Sequence, residues 1–204
     1  KNTMDTSASE IGIPDNELDN YKRHNEELTE YIYDLQKKDP DGVARSNQGG
    51  WHSKPFNLKD KETAPFKFFI DIQMYVADTF KEYGWKYIPG KVNLTEMWAI
   101  INKKDSFNVV HTHPNSYLSA AYYVKAPDNC GKFLVENPNT VSNHSFPKIA
   151  EETEFNSTIR GLDVKEGDLL FFPSYLPHKV GKNQSEEDRV VISFNININN
   201  FNLS

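Results

Sequence analysis

The chain has 204 residues, a one-domain length, with 37% hydrophobic and 25% charged residues, which is enough apolar material for one core and too much for a disordered chain. Its 29 acidic and 23 basic residues leave a formal charge of −6, which argues against a nucleic-acid partner held by bulk electrostatics. A single cysteine, Cys130, excludes an intramolecular disulfide and any multi-cysteine zinc or iron–sulfur site, leaving metal chemistry to six histidines and the carboxylates.

The first dozen residues are small and polar and read as a tail. They lack the basic and apolar regions of a secretory signal, and no apolar run in the chain reaches the length of a membrane span. Glycosylation-like triplets at Asn93, Asn143, Asn156, Asn183 and Asn202 are ascribed to the abundance of asparagine, so a reduced, cytoplasmic setting is expected. From Asp15, a candidate cap, Leu18, Tyr21, Leu28, Tyr31 and Leu35 recur at helical spacing until Lys37-Lys38-Asp39-Pro40 stops the pattern. A polar, glycine-rich loop follows through Gly49-Gly50 to Trp51-His52-Ser53. A second helix is expected from about Pro65 to Tyr83, with Phe66, Phe69, Ile70, Met74, Val76, Ala77 and Phe80 on its apolar face and Gly84 ending it.

After Gly84, short β-branched and aromatic runs alternate with Pro, Gly, Asn and Asp. Strands are expected at 86–92, 96–103, 107–113, 117–125, 131–136, 158–165, 168–172, 177–181 and 189–198, the last alternating strictly from Ile192. Such a series reads as a mainly β sandwich or jelly roll (double-stranded β-helix) with helices packed outside. The chain thus divides into an N-terminal tail and helical support region, 1–84, and a jelly-roll core, 85–204, within one structural domain. The polar stretch 137–157 is either a loop over a site or a plain surface loop.

His111 and His113 are two apart, so on an extended strand they leave the same face with Cβ atoms roughly 6.6 Å apart. Imidazoles at that spacing can converge on a metal, and His178, 65 residues after His113 and following Pro177, is the candidate third member. Arg189 comes eleven positions later, on the next strand, sharing a face with Val191, Ser193 and Asn195. A guanidinium inside a sandwich requires an anion, and its planar fork suits a carboxylate. A surface pairing with Asp188 or Glu187 is the alternative. His24 and His144 read as solvated, and His52 beside Trp51 as either lining a site mouth or structural. Trp98, Phe107, Phe133, Leu134 and Phe171 read as core, and Ser119 and Ser193 as residues that could reach a ligand or serve the backbone.

The ordered set Trp98-Ala-Ile-Ile-Asn, Asn108-Val-Val-His-Thr-His-Pro-Asn-Ser-Tyr-Leu-Ser-Ala-Ala-Tyr-Tyr-Val, Gly131-Lys-Phe-Leu-Val-Glu-Asn-Pro, Gly167-Asp-Leu-Leu-Phe-Phe-Pro-Ser, His178, Arg189 and Phe194-Asn195 resembles the Fe(II)- and 2-oxoglutarate-dependent oxygenases. The resemblance covers about residues 46–196 and is to small oxygenases of bacteria and phages, with prolyl-hydroxylase-type enzymes as more distant relatives. It implies an iron held by His111 and His178, with Arg189 on the distal carboxylate of 2-oxoglutarate and Tyr123 assisting. Ser193 and Ser119 are further candidates for the co-substrate, and Gly167-Asp168 for a tight turn. Most of the superfamily has Asp or Glu where this chain has His113. Ligation by His113 is the reading favoured here, with Glu136 or Asn115 as candidate partners behind the ligands. The implied activity is hydroxylation of a peptidyl (including prolyl) or small-molecule C–H bond, with O2 as co-substrate and release of succinate and CO2. Two other readings are a cupin-like three-histidine enzyme without 2-oxoglutarate and a metal-stabilised binding module.

Overall fold

Alternation along the longest strands gives each a face for helices and a face for a second sheet. The computed structural model describes residues 9–11, 18–139, 147–151, 153 and 156–199. In chain order the elements are β1 (Ser9–Ile11), α1 (Leu18–Lys38), β2 (Asn47–Gln48), β3 (Trp51–His52), α2 (Ala64–Asp71), α3 (Gln73–Glu82), β4 (Val92–Asn102), β5 (Phe107–His111), β6 (Leu118–Lys125), β7 (Phe133–Glu136), β8 (Ile159–Leu162), β9 (Leu169–Pro173), β10 (His178–Val180) and β11 (Arg189–Ile198). Six strands pair antiparallel in the order β1-β9-β6-β11-β4-β3, and five in the order β2-β5-β10-β7-β8. Apart from β3–β4 and β7–β8, consecutive strands pass back and forth between the sheets, which is jelly-roll connectivity.

On β11, Val190, Ile192, Phe194 and Ile196 face the helices. There they meet Met97, Ala99 and Ile101 of β4, Leu118, Ala120, Tyr122 and Val124 of β6, Leu28 and Ile32 of α1, Phe68 of α2, and Val76 and Phe80 of α3. Each buried Val, Leu, Ile, Met or Phe side chain among these contributes about 1.5–3 kcal/mol of transfer free energy. The opposite face of the large sheet carries Ala121, Tyr123, Leu170, Phe172 and Val191, which pack on Phe133 and Val135 of β7. The gap between the sheets is left partly open, and the site lies there. Among the described residues no helix is long and apolar enough to cross a membrane.

Several expectations are corrected. Residues 9–11 are not tail: Ser9, Glu10 and Ile11 pair with Phe171, Leu170 and Leu169. An edge strand of three residues rests on backbone hydrogen bonds, which leave no side-chain pattern to read. The helix expected over 65–83 is two, α2 and α3, meeting at Ile72 with ψ −10°. No strand forms over 86–91; Trp85 and Tyr87 instead pack edge-on against Phe80, at centroid distances of 5.5 and 5.8 Å. A boundary at residue 84 does not separate helices from sheets, because β1 and β3 join the large sheet and β2 the small one. The candidate cap Asp15, His144 and much of 137–157 lie outside the described residues.

Candidate active site

β5 and β10 pair so that His178 lies opposite His111 and Val180 opposite Asn108, with a register shift between the two pairs. The extra residue, a bulge at Val109–Val110, lets both Asn108 and His111 line the cavity between the sheets. β5 ends at His111, so His113 is not on the strand expected to carry it. Its backbone N–H is instead fixed by Ser174 O at 2.8 Å. The three rings still converge: centroid distances are 4.3 Å for His111–His178, 5.2 Å for His111–His113 and 5.1 Å for His113–His178. One ring nitrogen from each lies within 4.8 Å of the others, and no carboxylate belongs to the cluster among the described residues.

Hydrogen bonding decides which nitrogens can ligate. His111 Nδ1 lies 2.8 Å from Val109 O, His178 Nδ1 2.9 Å from Leu176 O, and His113 Nδ1 2.6 Å from Asn195 Oδ1. Each partner is an acceptor, so each Nδ1 carries the hydrogen and each Nε2 keeps its lone pair. Three Nε2 donors directed at one space fit a first-row divalent ion such as Fe(II). The Ser46 hydroxyl, 3.4 Å from His111 Nε2, is the only protein group bonded to an Nε2 of the trio among the described residues. Burial keeps the rings neutral, holding the pKa of His113 down to about 4 and that of His178 down to about 3, with neighbouring imidazoles adding to the depression. Burial lowers those of His111 and His52 as well.

Deeper in the same cavity, of about 550 Å³, lies Arg189. Its side chain is 1% exposed, and Nη1 donates to Cys130 O and, at 3.2 Å, to Gly181 O. The surface alternative fails: Asp188 accepts from Tyr33 Oη at 2.8 Å and Glu187 pairs with Lys125 at 2.8 Å. Among the described residues no carboxylate meets the guanidinium. Tyr123 lines the cavity beside it, its hydroxyl pKa raised chiefly by burial and opposed by the Arg189 charge. Gly167, with φ +88°, makes the expected tight turn, its N–H donating to Tyr123 O at 2.8 Å.

The outer wall is formed by Arg45, Ser46, His52, Glu96, Trp98 and Thr112, among others. His52 therefore lines the cavity, stacked on Trp98 at 5.6 Å with its Nδ1 on Ser53 O at 2.7 Å. Trp98 and Phe133, read from sequence as core, line the cavity too. Ser193 is on the wall, whereas Ser119 is not: it is fully buried behind Asn195. Glu136 pairs with Lys179 at 2.7 Å rather than with a ring. Asn115 forms a turn with φ +65° and accepts through its backbone oxygen from Asn197. The residue behind His113 is Asn195. Sequence reasoning placed it on the Arg189 face but gave it no role, since nothing in one strand's pattern reveals a ring 82 positions away.

A family model described as putative 2OG-Fe(II) oxygenase matches residues 96–195, from Glu96 on β4 to Asn195 on β11. No curated protein matches the chain. Among solved structures, HygX from Streptomyces hygroscopicus with nickel, 2-oxoglutarate and hygromycin B bound is similar at 16% identity, over 97% of this chain and 85% of that one, with a TM-score of 0.63. A Pseudomonas putida prolyl-4-hydroxylase is similar at 12% identity, over 96% of this chain and 95% of that one, with a TM-score of 0.64. The viral collagen prolyl hydroxylase of Paramecium Bursaria Chlorella virus-1, as its 2OG complex, is similar at 13% identity over 92% and 94% of the two chains, with a TM-score of 0.59. At these identities the structures speak for the fold, and the family match over the site-bearing strands speaks for the chemistry. Residues 96–195, which carry all three histidines and Arg189, match the Fe(II)- and 2-oxoglutarate-dependent oxygenases.

Proposed function

We propose that His111, His113 and His178 hold the iron, that Arg189 and Tyr123 receive the distal carboxylate of 2-oxoglutarate, and that the enzyme hydroxylates a C–H bond of a peptide or small molecule. One observation carries the reading: three Nε2 lone pairs and a buried guanidinium, with no carboxylate partner among the described residues, share a single cavity. Iron(II) with 2-oxoglutarate supplies the oxidising chemistry, in which O2 converts the co-substrate to succinate and CO2 and one oxygen atom passes to the prime substrate.

The chain's own residues bind and orient. The imidazoles present neutral donors at physiological pH, because burial opposes their protonation. Arg189, held by two carbonyl oxygens, anchors a dicarboxylate at a fixed depth. Phe133, Phe172 and Val191 line that part of the cavity and keep it apolar. The outer wall of Trp98 and His52, with Arg45 and Glu96 exposed at its edge, suits a prime substrate that is partly polar. HygX with hygromycin B bound and a Trichoplax adhaerens prolyl hydroxylase in complex with a peptide fragment show a small molecule and a peptide held by similar folds.

The test is succinate formation from 2-oxoglutarate with Fe(II) and air, without prime substrate. Slow uncoupled turnover is expected for the wild type, and at least tenfold less for His178→Ala and for Arg189→Ala. Wild-type rates in both variants would contradict the assignment.

A further inference from the structure

His113 is the one member of the trio that stands beyond the end of a strand. His111 and His178 each anchor Nδ1 on a carbonyl two residues earlier in their own segment, Val109 O and Leu176 O. His113 has no such local acceptor and uses a side chain from another strand, Asn195 of β11. Asn195 Oδ1 accepts from His113 Nδ1 at 2.6 Å and from Ser119 Oγ at 2.8 Å. Ser119 Oγ is in turn 2.7 Å from Ser174 Oγ, and Ser174 O accepts the His113 backbone N–H at 2.8 Å. Ring and backbone of His113 are thereby tied into one closed circuit through β6, β9–β10 and β11. Its hydroxyl and amide groups are sealed: Ser119 and Ser174 are 0% exposed and Asn195 8%.

The circuit fixes the tautomer as well as the angle. If the Asn195 amide were turned over, its NH2 would face His113 Nδ1, the ring hydrogen would move to Nε2, and the lone pair needed for a metal would be lost. The two donors that converge on Oδ1 hold the amide against that turn. Resting on the three-histidine reading above, we infer that Asn195, held by Ser119, is the positioning residue that makes His113 a metal ligand. A local carbonyl does the same work for the other two rings.

The test measures Ni(II) affinity by chelator competition, together with the Co(II) absorption spectrum and the thermal midpoint of the metal-free protein. The proteins compared are the wild type, Asn195→Ala, Asn195→Asp, Ser119→Ala and His178→Ala. Losing the outer partner of a metal-bound histidine typically weakens metal binding by about 10- to 100-fold. Asn195→Ala is expected to fall in that range with an altered Co(II) spectrum. Asn195→Asp, which keeps the acceptor at the same reach, is expected to bind at least as tightly as wild type. Ser119→Ala should show a smaller loss of about threefold, and it keeps the proposal testable should Asn195→Ala fold poorly. A residue of merely structural value would shift the thermal midpoint without this split between Ala and Asp. Equal losses in Asn195→Ala and Asn195→Asp, or none in either Asn195→Ala or Ser119→Ala, would overturn the inference. Failure of the three-histidine reading itself looks different: His178→Ala would then bind Ni(II) as tightly as wild type.

Discussion

At the scale of single residues, Arg189 sets the terms. A guanidinium that is 1% exposed, donates to two carbonyl oxygens and meets no carboxylate among the described residues keeps its full charge in a poorly solvating place. Burial lowers its affinity for the proton, yet no ordinary pH discharges it, so a dianion entering the cavity neutralises a standing cost. Lysine at this position keeps the charge but loses the fork. Arg189→Lys is therefore expected to weaken 2-oxoglutarate binding to the Ni(II)-loaded protein by about 10- to 100-fold, in line with about 1.5–3 kcal/mol for a charge-assisted hydrogen bond. Calorimetric titration with 2-oxoglutarate checks this, and unchanged affinity would remove Arg189 from the co-substrate site. Arg189 could be read in the sequence because it follows His178 by eleven positions on the next strand, and without the histidines it would read as a surface arginine. Asn195 could not, since an asparagine in an Asn-rich strand end looks like any other until His113 is seen against it.

At the scale of elements, the strand ends around Arg189 matter more than the strands. Gly131, with φ +90°, sits where an added Cβ would lie 2.3 Å from Gly181 O, and Gly181 O is one of the two acceptors of the guanidinium. The Gly131 approach and the Arg189 cradle are one piece of construction, closed by the Gly181 N–H on Lys132 O at 2.9 Å. Gly131→Ala is expected to lower stability by about 1–3 kcal/mol through backbone strain. It is also expected to raise the Kd for 2-oxoglutarate several-fold through the displaced carbonyl. Denaturant unfolding and calorimetry read the two effects, and a variant with wild-type values for both would refute the coupling. Elements with strong side-chain patterns, α1 and β11 above all, were readable from the sequence. The pairing of β1, the bulge in β5 and the extended run after α3 were not, because each depends on backbone register or on packing against a distant surface.

At the scale of the whole molecule, three neutral imidazoles inside one cavity make the metal-free protein sensitive to acid. Folding holds the pKa of His113 down to about 4 and that of His178 down to about 3, below the ordinary imidazole value of 6.5. The stability tied to these groups is fully present above pH about 6.5, where both states are unprotonated. It declines as pH falls towards the folded values, since the unfolded chain takes up protons that the folded one refuses. The thermal midpoint of metal-free protein is expected to fall between pH 7 and pH 5, above the range where carboxylates dominate, and to fall less steeply in His178→Gln. A flat profile over that interval in the wild type would contradict the burial of neutral rings.

The proposed site gives His113 the position a carboxylate holds in most of the superfamily, and the measurement that bears on it most directly is the equilibrium affinity for Fe(II), under exclusion of O2, of wild type, His113→Ala and His113→Asp. The geometry predicts one ion per chain for the wild type, at least a 100-fold weaker affinity for His113→Ala, and recovery in His113→Asp, where a carboxylate restores a ligand and offsets metal charge. Full wild-type affinity in His113→Ala would show that the ring does not hold the metal.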